Sequence, residues 1–162
     1  MTTKIKFISN LIPNKLHDLI IDVGCDHGYL SLILIQENKS KVVLNIDNKK
    51  KPLMNAIKNT SKYEYRQRIF NVLNEGLNNL PSYLSPNYIV IAGIGTNNII
   101  NILENEHVSN SKTKFIFQSE GNIVKLKDHL TKNNFKILLE KEIVIKNKVF
   151  NFIISSKQNN NL

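Results

Sequence analysis

Cysteine is nearly missing: Cys25 stands alone among 162 residues, so neither an internal disulfide nor a cysteine-rich zinc site can form, and no metal is expected. Long apolar runs are missing too. No stretch approaches the roughly 18 apolar residues of a membrane span. The start, MTTKIKFISNLIPNK, is broken by polar residues where a secretory signal would carry an apolar core. The expected compartment is therefore the cytoplasm, with no membrane partner. Acidic residues are scarce, 13 against 22 basic ones, and the formal net charge is +9. Lysines that neutralise phosphates release counterions, so this balance is compatible with a polyanionic partner. Asn, Lys and Ile fill 68 of 162 positions, however, a bias that by itself raises lysine everywhere, so the charge counts only where another feature points to nucleic acid. No internal repeat is visible.

What remains is ordinary globular material, 41% hydrophobic and 22% charged, of a length suited to one core. One domain is expected over 1–156, followed by a frayed tail over 157–162. Short apolar runs alternate with segments of helical period, the pattern of a mainly parallel sheet covered by helices. LIIDV at 19–23 predicts a first strand, and Tyr29, Leu30, Leu32, Ile33 and Leu34 open a helix. KVVLNI at 41–46 predicts a second strand that ends at Asp47, and Pro52 suits the first turn of the next helix. Further strands are predicted at 68–72, 88–92 and 114–118, with a helix over 97–105. A helix over 123–132 then gives way to two extended runs, 135–145 and 148–155, joined by Lys146-Asn147 as a hairpin. The expected class is α/β, a Rossmann-like seven-stranded sheet with an antiparallel last strand. This order of elements resembles that of class I methyltransferases dependent on S-adenosylmethionine.

The informative stretch is DVGCDHGYL at 22–30, where the first strand passes into a helix and an open sheet places its ligand crevice. Gly24 permits a tight turn and close approach of a ligand to the backbone. Asp47, 19 positions beyond Gly28, stands where a carboxylate can accept from both ribose hydroxyls of a nucleotide-like cofactor. Asp26 would repel a pyrophosphate, which argues against NAD. S-adenosylmethionine carries no phosphate and has a cationic amino group, so the acidic loop suits it, with Asp22 either facing that group or capping the turn.

DVGCDHGYLSL resembles the first motif of the bacterial tRNA (adenine-N1)-methyltransferases that modify position 22 of tRNA, a pattern close to D-I-G-[ST]-D-H-[AG]-Y-L-P. IVIAGIG at 89–95 is similar to that family's I-x-I-A-G-M-G-G, and FIFQ at 115–118 resembles its L-I-L-Q-P-N. The resemblance covers 8–156. It implies transfer of a methyl group from S-adenosylmethionine to N1 of an adenine in tRNA. An in-plane lone pair attacks the sulfonium methyl directly, so alignment matters more than a strong base. Positive charge passes to the adenine, which a carboxylate would stabilise. Asp26 is the leading catalytic candidate, with His27 beside it, and Tyr29 would stack on a flipped base. The structural alternatives are that His27 caps the helix and Tyr29 packs on the sheet. Asp22, Gly24, Asp47, Asn74, Glu75, Ala92 and Gly93 are the expected cofactor residues, the Asn74-Glu75-Gly76 turn matching the family's G-D-G. Gly95, Asn97 and Gln118 are the expected acceptor residues.

Three departures from the pattern stand out. Thr96 occupies the place of the second glycine after A-G-M-G, Gln118-Ser119-Glu120 replaces Q-P-N, and the family's carboxy-terminal helical region, thought to grip tRNA, has no counterpart. Either surface lysines (those of the Asn48–Lys51 tract, Lys125, Lys127, Lys132) or a partner protein that grips the RNA would then do its work, or RNA binding is weakened. The competing readings are methylation of another substrate, a non-catalytic RNA-binding remnant, and an NAD-dependent oxidoreductase.

Overall fold

The structure is a computed structural model that describes residues 2–158. The chain divides into two units, Met1–Gly76 and Leu77–Leu162.

The first unit runs α1 (Thr3–Leu11), β1 (His17–Val23), α2 (Tyr29–Gln36), β2 (Ser40–Asp47), α3 (Lys50–Thr60), a single 3-10 segment (Glu64–Arg68) and β3 (Ile69–Leu73). Its strands lie in the order β3-β2-β1, all parallel, with Asp22 opposite Asn45 and Asp47 opposite Leu73. Ile20, Ile21, Val43 and Ile46 are wholly excluded from solvent, as strands covered on both faces require. Helix α2 buries Leu30 and everything from Leu32 to Ile35, which is why its sequence shows no polar stripe.

Helix α1 was not expected. Thr2 caps it, its hydroxyl accepting the Ile5 N–H at 3.4 Å, and Ile8 and Ile12 bury its inner side. A buried polar cluster holds it down: the Lys39 ammonium donates to the Ser9 carbonyl at 2.7 Å, and the Ser9 hydroxyl donates to Glu37 at 2.8 Å. Lys6 also pairs with Glu37. That hydrogen bond, with those from Ser9 and Lys39, holds the Glu37 carboxyl down at about 2 despite partial burial.

The second unit runs β4 (Tyr88–Ile94), α4 (Thr96–Glu104), β5 (Lys114–Ser119), α5 (Ile123–Lys132), β6 (Phe135–Ile145) and β7 (Lys148–Lys157). Its strand order is β4-β5-β7-β6, with β4 and β5 parallel and β7 antiparallel to both neighbours. Ile89, Val90 and Ile91 of β4 and Phe115, Ile116 and Phe117 of β5 are fully buried. Phe115 stacks on Phe117 at 5.6 Å and meets the edge of Phe135 at 5.3 Å, joining β5 to β6. Lys146 and Asn147 both adopt left-handed backbone, the tight turn whose twist matches a hairpin. The seven strands and antiparallel close are therefore those expected from the sequence. Lys157 pairs with Phe135 as the last residue of β7, so the expected tail cannot begin at 157, and 159–162 lie outside the described residues.

Candidate functional site

In the first unit the chain leaves β1 through a tight loop. The Gly24 and Cys25 N–H groups both donate to the Ile46 carbonyl, at 2.8 and 3.2 Å, which pins the loop to the end of β2. Asp26 takes φ 47 and Gly28 φ 69, and the Gly28 N–H closes back on the Cys25 carbonyl at 2.8 Å. Gly28 is also a packing requirement. A Cβ there would lie 3.1 Å from the Ala56 Cβ and 3.3 Å from Thr60 Cγ2, so α3 packs directly against the loop. Beneath it the Ser31 hydroxyl donates to the Gly28 carbonyl at 2.8 Å. Asn45 Nδ2 donates to that hydroxyl and to Asn71 Oδ1, each at 3.0 Å. A buried polar chain thus ties the loop to β2 and β3.

Two carboxylates are buried at this loop. Asp47 Oδ1 accepts the Lys49 N–H at 2.9 Å and Oδ2 faces the Asp26 N–H at 3.4 Å, so its side chain spans both turns. Asp22 is 6% exposed, and burial followed by the charge of Asp47 pushes its carboxyl up to about 7. Neither has a salt-bridge partner among the described residues. Buried anionic charge without a cation is expensive, so the pair favours a cationic or multiply donating ligand. Cys25 between them packs on Leu53 and Ala56, and burial together with both carboxylates drives its thiol well above the usual range, which removes it as a nucleophile.

The three expected catalytic residues gather on the exposed side of the loop. His27 Nε2 lies 3.5 Å from Asp26 Oδ2, and the rings of His27 and Tyr29 are 5.6 Å apart. His27 does not cap α2: Gly28 occupies the capping position without a side-chain bond, and the His27 carbonyl is held by Asn59 Nδ2 at 3.1 Å. Tyr29 is 36% exposed at the first position of α2, so it is not spent on packing against the sheet. Asn74 and Glu75 line an open recess of about 450 Å³ with Asn48 and the exposed Leu73. The Asn74 N–H donates to the Asp47 carbonyl at 3.0 Å, coupling this recess to the carboxylate strand.

In the second unit β4 ends in a register shift between Ala92 and Ile94, with Gly93 at φ 74 in between. Gln118 is 1% exposed, and its Oε1 accepts the Gly93 N–H at 3.0 Å while Nε2 donates to the Ser119 carbonyl at 2.9 Å. Gln118, expected beside the acceptor, is thus held by the backbone of both neighbouring segments. Its amide is buried and engaged by the backbone, so it sets the shape of the Ala92–Gly93 turn. Gly95 and Asn97 are exposed, and Asn97 Oδ1 accepts from the Lys125 ammonium at 2.8 Å.

The departures from the family pattern meet in space. The Gly121 N–H reaches Ser119 Oγ at 3.0 Å, Ser119 Oγ lies 2.6 Å from Thr96 Oγ1, and Thr96 Oγ1 donates to the Asn122 carbonyl at 3.1 Å. Each hydroxyl gives one hydrogen and takes one, so Thr96 and Ser119 form a single relay joining the starts of α4 and α5. Glu120, the next residue of that replacement, is paired with the Lys148 ammonium at 2.8 Å, which removes it as a bare negative charge. The sequence showed each replacement singly and gave no sign that they answer one another.

Known proteins resemble this chain along most of its length. A family profile described as a methyltransferase domain matches residues 1–153. A Mycoplasma genitalium protein designated a candidate tRNA methyltransferase is 30% identical over 158 residues, 97% of this chain and 70% of the relative. The solved structure of M. capricolum TrmK with the cofactor product S-adenosyl-homocysteine is 29% identical. It superimposes with a TM-score of 0.85, covering 97% of this chain and 69% of that one. The B. subtilis tRNA methyltransferase TrmK, at 21% identity, shares the fold with a TM-score of 0.89 over 98% of this chain and 67% of that one.

Proposed function

The chain belongs to the methyltransferase-domain family, and on that premise we propose that it transfers the methyl group of S-adenosylmethionine to N1 of adenine 22 in tRNA, in the cytoplasm. The observation that carries this is the buried, cation-free pair of Asp22 and Asp47 around a tight loop, in a chain 29% identical to an enzyme solved with S-adenosyl-homocysteine. S-adenosylmethionine supplies a methyl sulfonium, a cationic amino group and a ribose.

Asp22 receives the amino group, and Asp47 accepts from the ribose hydroxyls. Gly24 lets the ligand approach the backbone. The recess of Asn48, Leu73, Asn74 and Glu75 takes the cofactor's adenine, with Leu73 as its apolar wall. Asp26 lies on the exposed side of its loop, where its charge stabilises the positive charge that passes from sulfur to the acceptor adenine. Its neighbour His27 steadies that carboxylate, and Tyr29 offers a face for stacking the flipped base. Gly95 and Asn97 contact the acceptor, and Gln118 acts through Gly93. The chain spans about 70% of the length of its Mycoplasma relative.

The test is incubation of purified protein with radiolabelled S-adenosylmethionine and unmodified tRNA bearing adenine 22. The label is mapped by primer extension, which N1 methylation blocks. A stop at that adenine is expected, and Asp26→Ala should abolish it while cofactor affinity stays nearly intact. Cofactor binding without any stop, in the presence or absence of cell extract, would refute the assignment.

A further inference from the structure

Between residues 95–98 and 121–125 of the second unit lies an open recess of about 470 Å³. Its wall carries one full charge, Lys125, and no carboxylate. Asn97 Oδ1 holds that ammonium at 2.8 Å, which leaves ammonium hydrogens for a further acceptor. Asn98 adds a second exposed amide to the wall. Glu120, next to Gly121 in the chain, pairs with the Lys148 ammonium at 2.8 Å.

Gly95 supplies an independent argument. Its backbone, φ −64 and ψ 146, is open to any residue, and an added Cβ would meet nothing within 4 Å. Neither conformation nor internal packing asks for glycine there. Gly121 on the opposite wall differs, since a Cβ would come within 2.9 Å of Thr96 Oγ1. The missing side chain at Gly95 serves the space outside the protein, where an occupant would approach the backbone.

We propose that this recess seats a phosphodiester group of the acceptor RNA, with Lys125 as its cation, Asn97 as the residue that aims Lys125, and Gly95 as the point of closest backbone approach. The proposal rests on the tRNA reading given above and adds to it the group that is gripped. One positive charge, amide donors and no opposing carboxylate in its wall suit an anion with several oxygens, and the hydroxyl relay of Thr96 and Ser119 ties together the two helix starts that line it.

The experiment is titration of wild-type protein, Lys125→Met, Gly95→Ala and the charge control Lys41→Met with unmodified tRNA at several salt concentrations, alongside thermal melts. Loss of one phosphate contact should lower the slope of log affinity against log salt by about 0.7 in Lys125→Met. Lys41, paired with Asp18 elsewhere on the surface, should leave the slope unchanged. Gly95→Ala should melt no lower than wild type yet bind tRNA several-fold more weakly. An unchanged slope in Lys125→Met, with wild type binding tRNA normally, would overturn the phosphate site alone. Wild-type protein that binds S-adenosyl-homocysteine but no tRNA at low salt would overturn the acceptor reading as well.

Discussion

Acidifying the solution from pH 8 to pH 6 should weaken binding of S-adenosyl-homocysteine through a single group, Asp22. Its carboxyl, ordinarily near 3.8, is raised to about 7 by burial and then by the neighbouring charge of Asp47. The ligand's ammonium needs the ionised carboxylate. The ionised fraction falls from about 0.9 at pH 8 to about 0.1 at pH 6, so affinity should drop about tenfold across that window. Asp22→Asn supplies the reference, because titration of the ligand's own amine affects both proteins equally and cancels in their ratio. The assay is isothermal calorimetry at pH 6, 7 and 8, with two buffers of different ionisation enthalpy to count the protons released. A wild-type to Asp22→Asn affinity ratio that stays constant within about twofold would refute the argument, because a titrating Asp22 requires that ratio to follow its ionisation. The same shift has a consequence for the ligand-free protein. A carboxyl whose folded pKa is raised stabilises the fold below its ordinary pKa and loses that contribution as pH rises through about 7, up to about 4 kcal/mol in total. Asp22→Asn should therefore raise the melting temperature at pH 8 and leave it nearly unchanged near pH 4.

Other substitutions test the rest of the architecture. Gly28→Ala combines a left-handed backbone with a 3.1 Å contact to the Ala56 Cβ, and should cost about 1–3 kcal/mol in chemical denaturation. Thr96→Ala and Ser119→Ala share one hydroxyl relay, so their combined effect should fall short of the sum by about 1 kcal/mol in a double-mutant cycle. Gln118→Leu removes the acceptor for the Gly93 N–H and should lower kcat about tenfold or more, a larger change than in KM for either substrate. Gln118→Glu keeps the accepting oxygen and should retain more of that activity.

The succession of strands along the chain and the loop at 22–30 were readable because they rest on local signals. Uninterrupted runs such as IVI at 89–91 mean strands covered on both faces, and Lys146-Asn147 between extended runs means a hairpin turn. Helix α1 was hidden because a Lys39–Glu37–Ser9 cluster, which ties α1 to the turn between α2 and β2, stabilises it, and no amphipathic stripe declares that kind of long-range polar contact. The engagement of Gln118 with Gly93 is hidden for a similar reason. Its spacing marks the end of β5, but whether a glutamine at that point faces outward or back to Gly93 depends on the neighbouring strand. The relay of Thr96 with Ser119 joins residues 23 positions apart, and a single sequence offers no register from which to see it.

Cys25 gives this fold a built-in meter of its own motion. The thiol sits in the middle of the loop between Gly24 and Asp26, sealed by Leu53 and Ala56 and kept protonated by burial and by two carboxylates. A thiol reagent acts on the ionised form, so labelling can proceed only while that lid of backbone is open. The rate of modification thus counts openings, and its suppression by a bound ligand measures how firmly occupancy closes the loop.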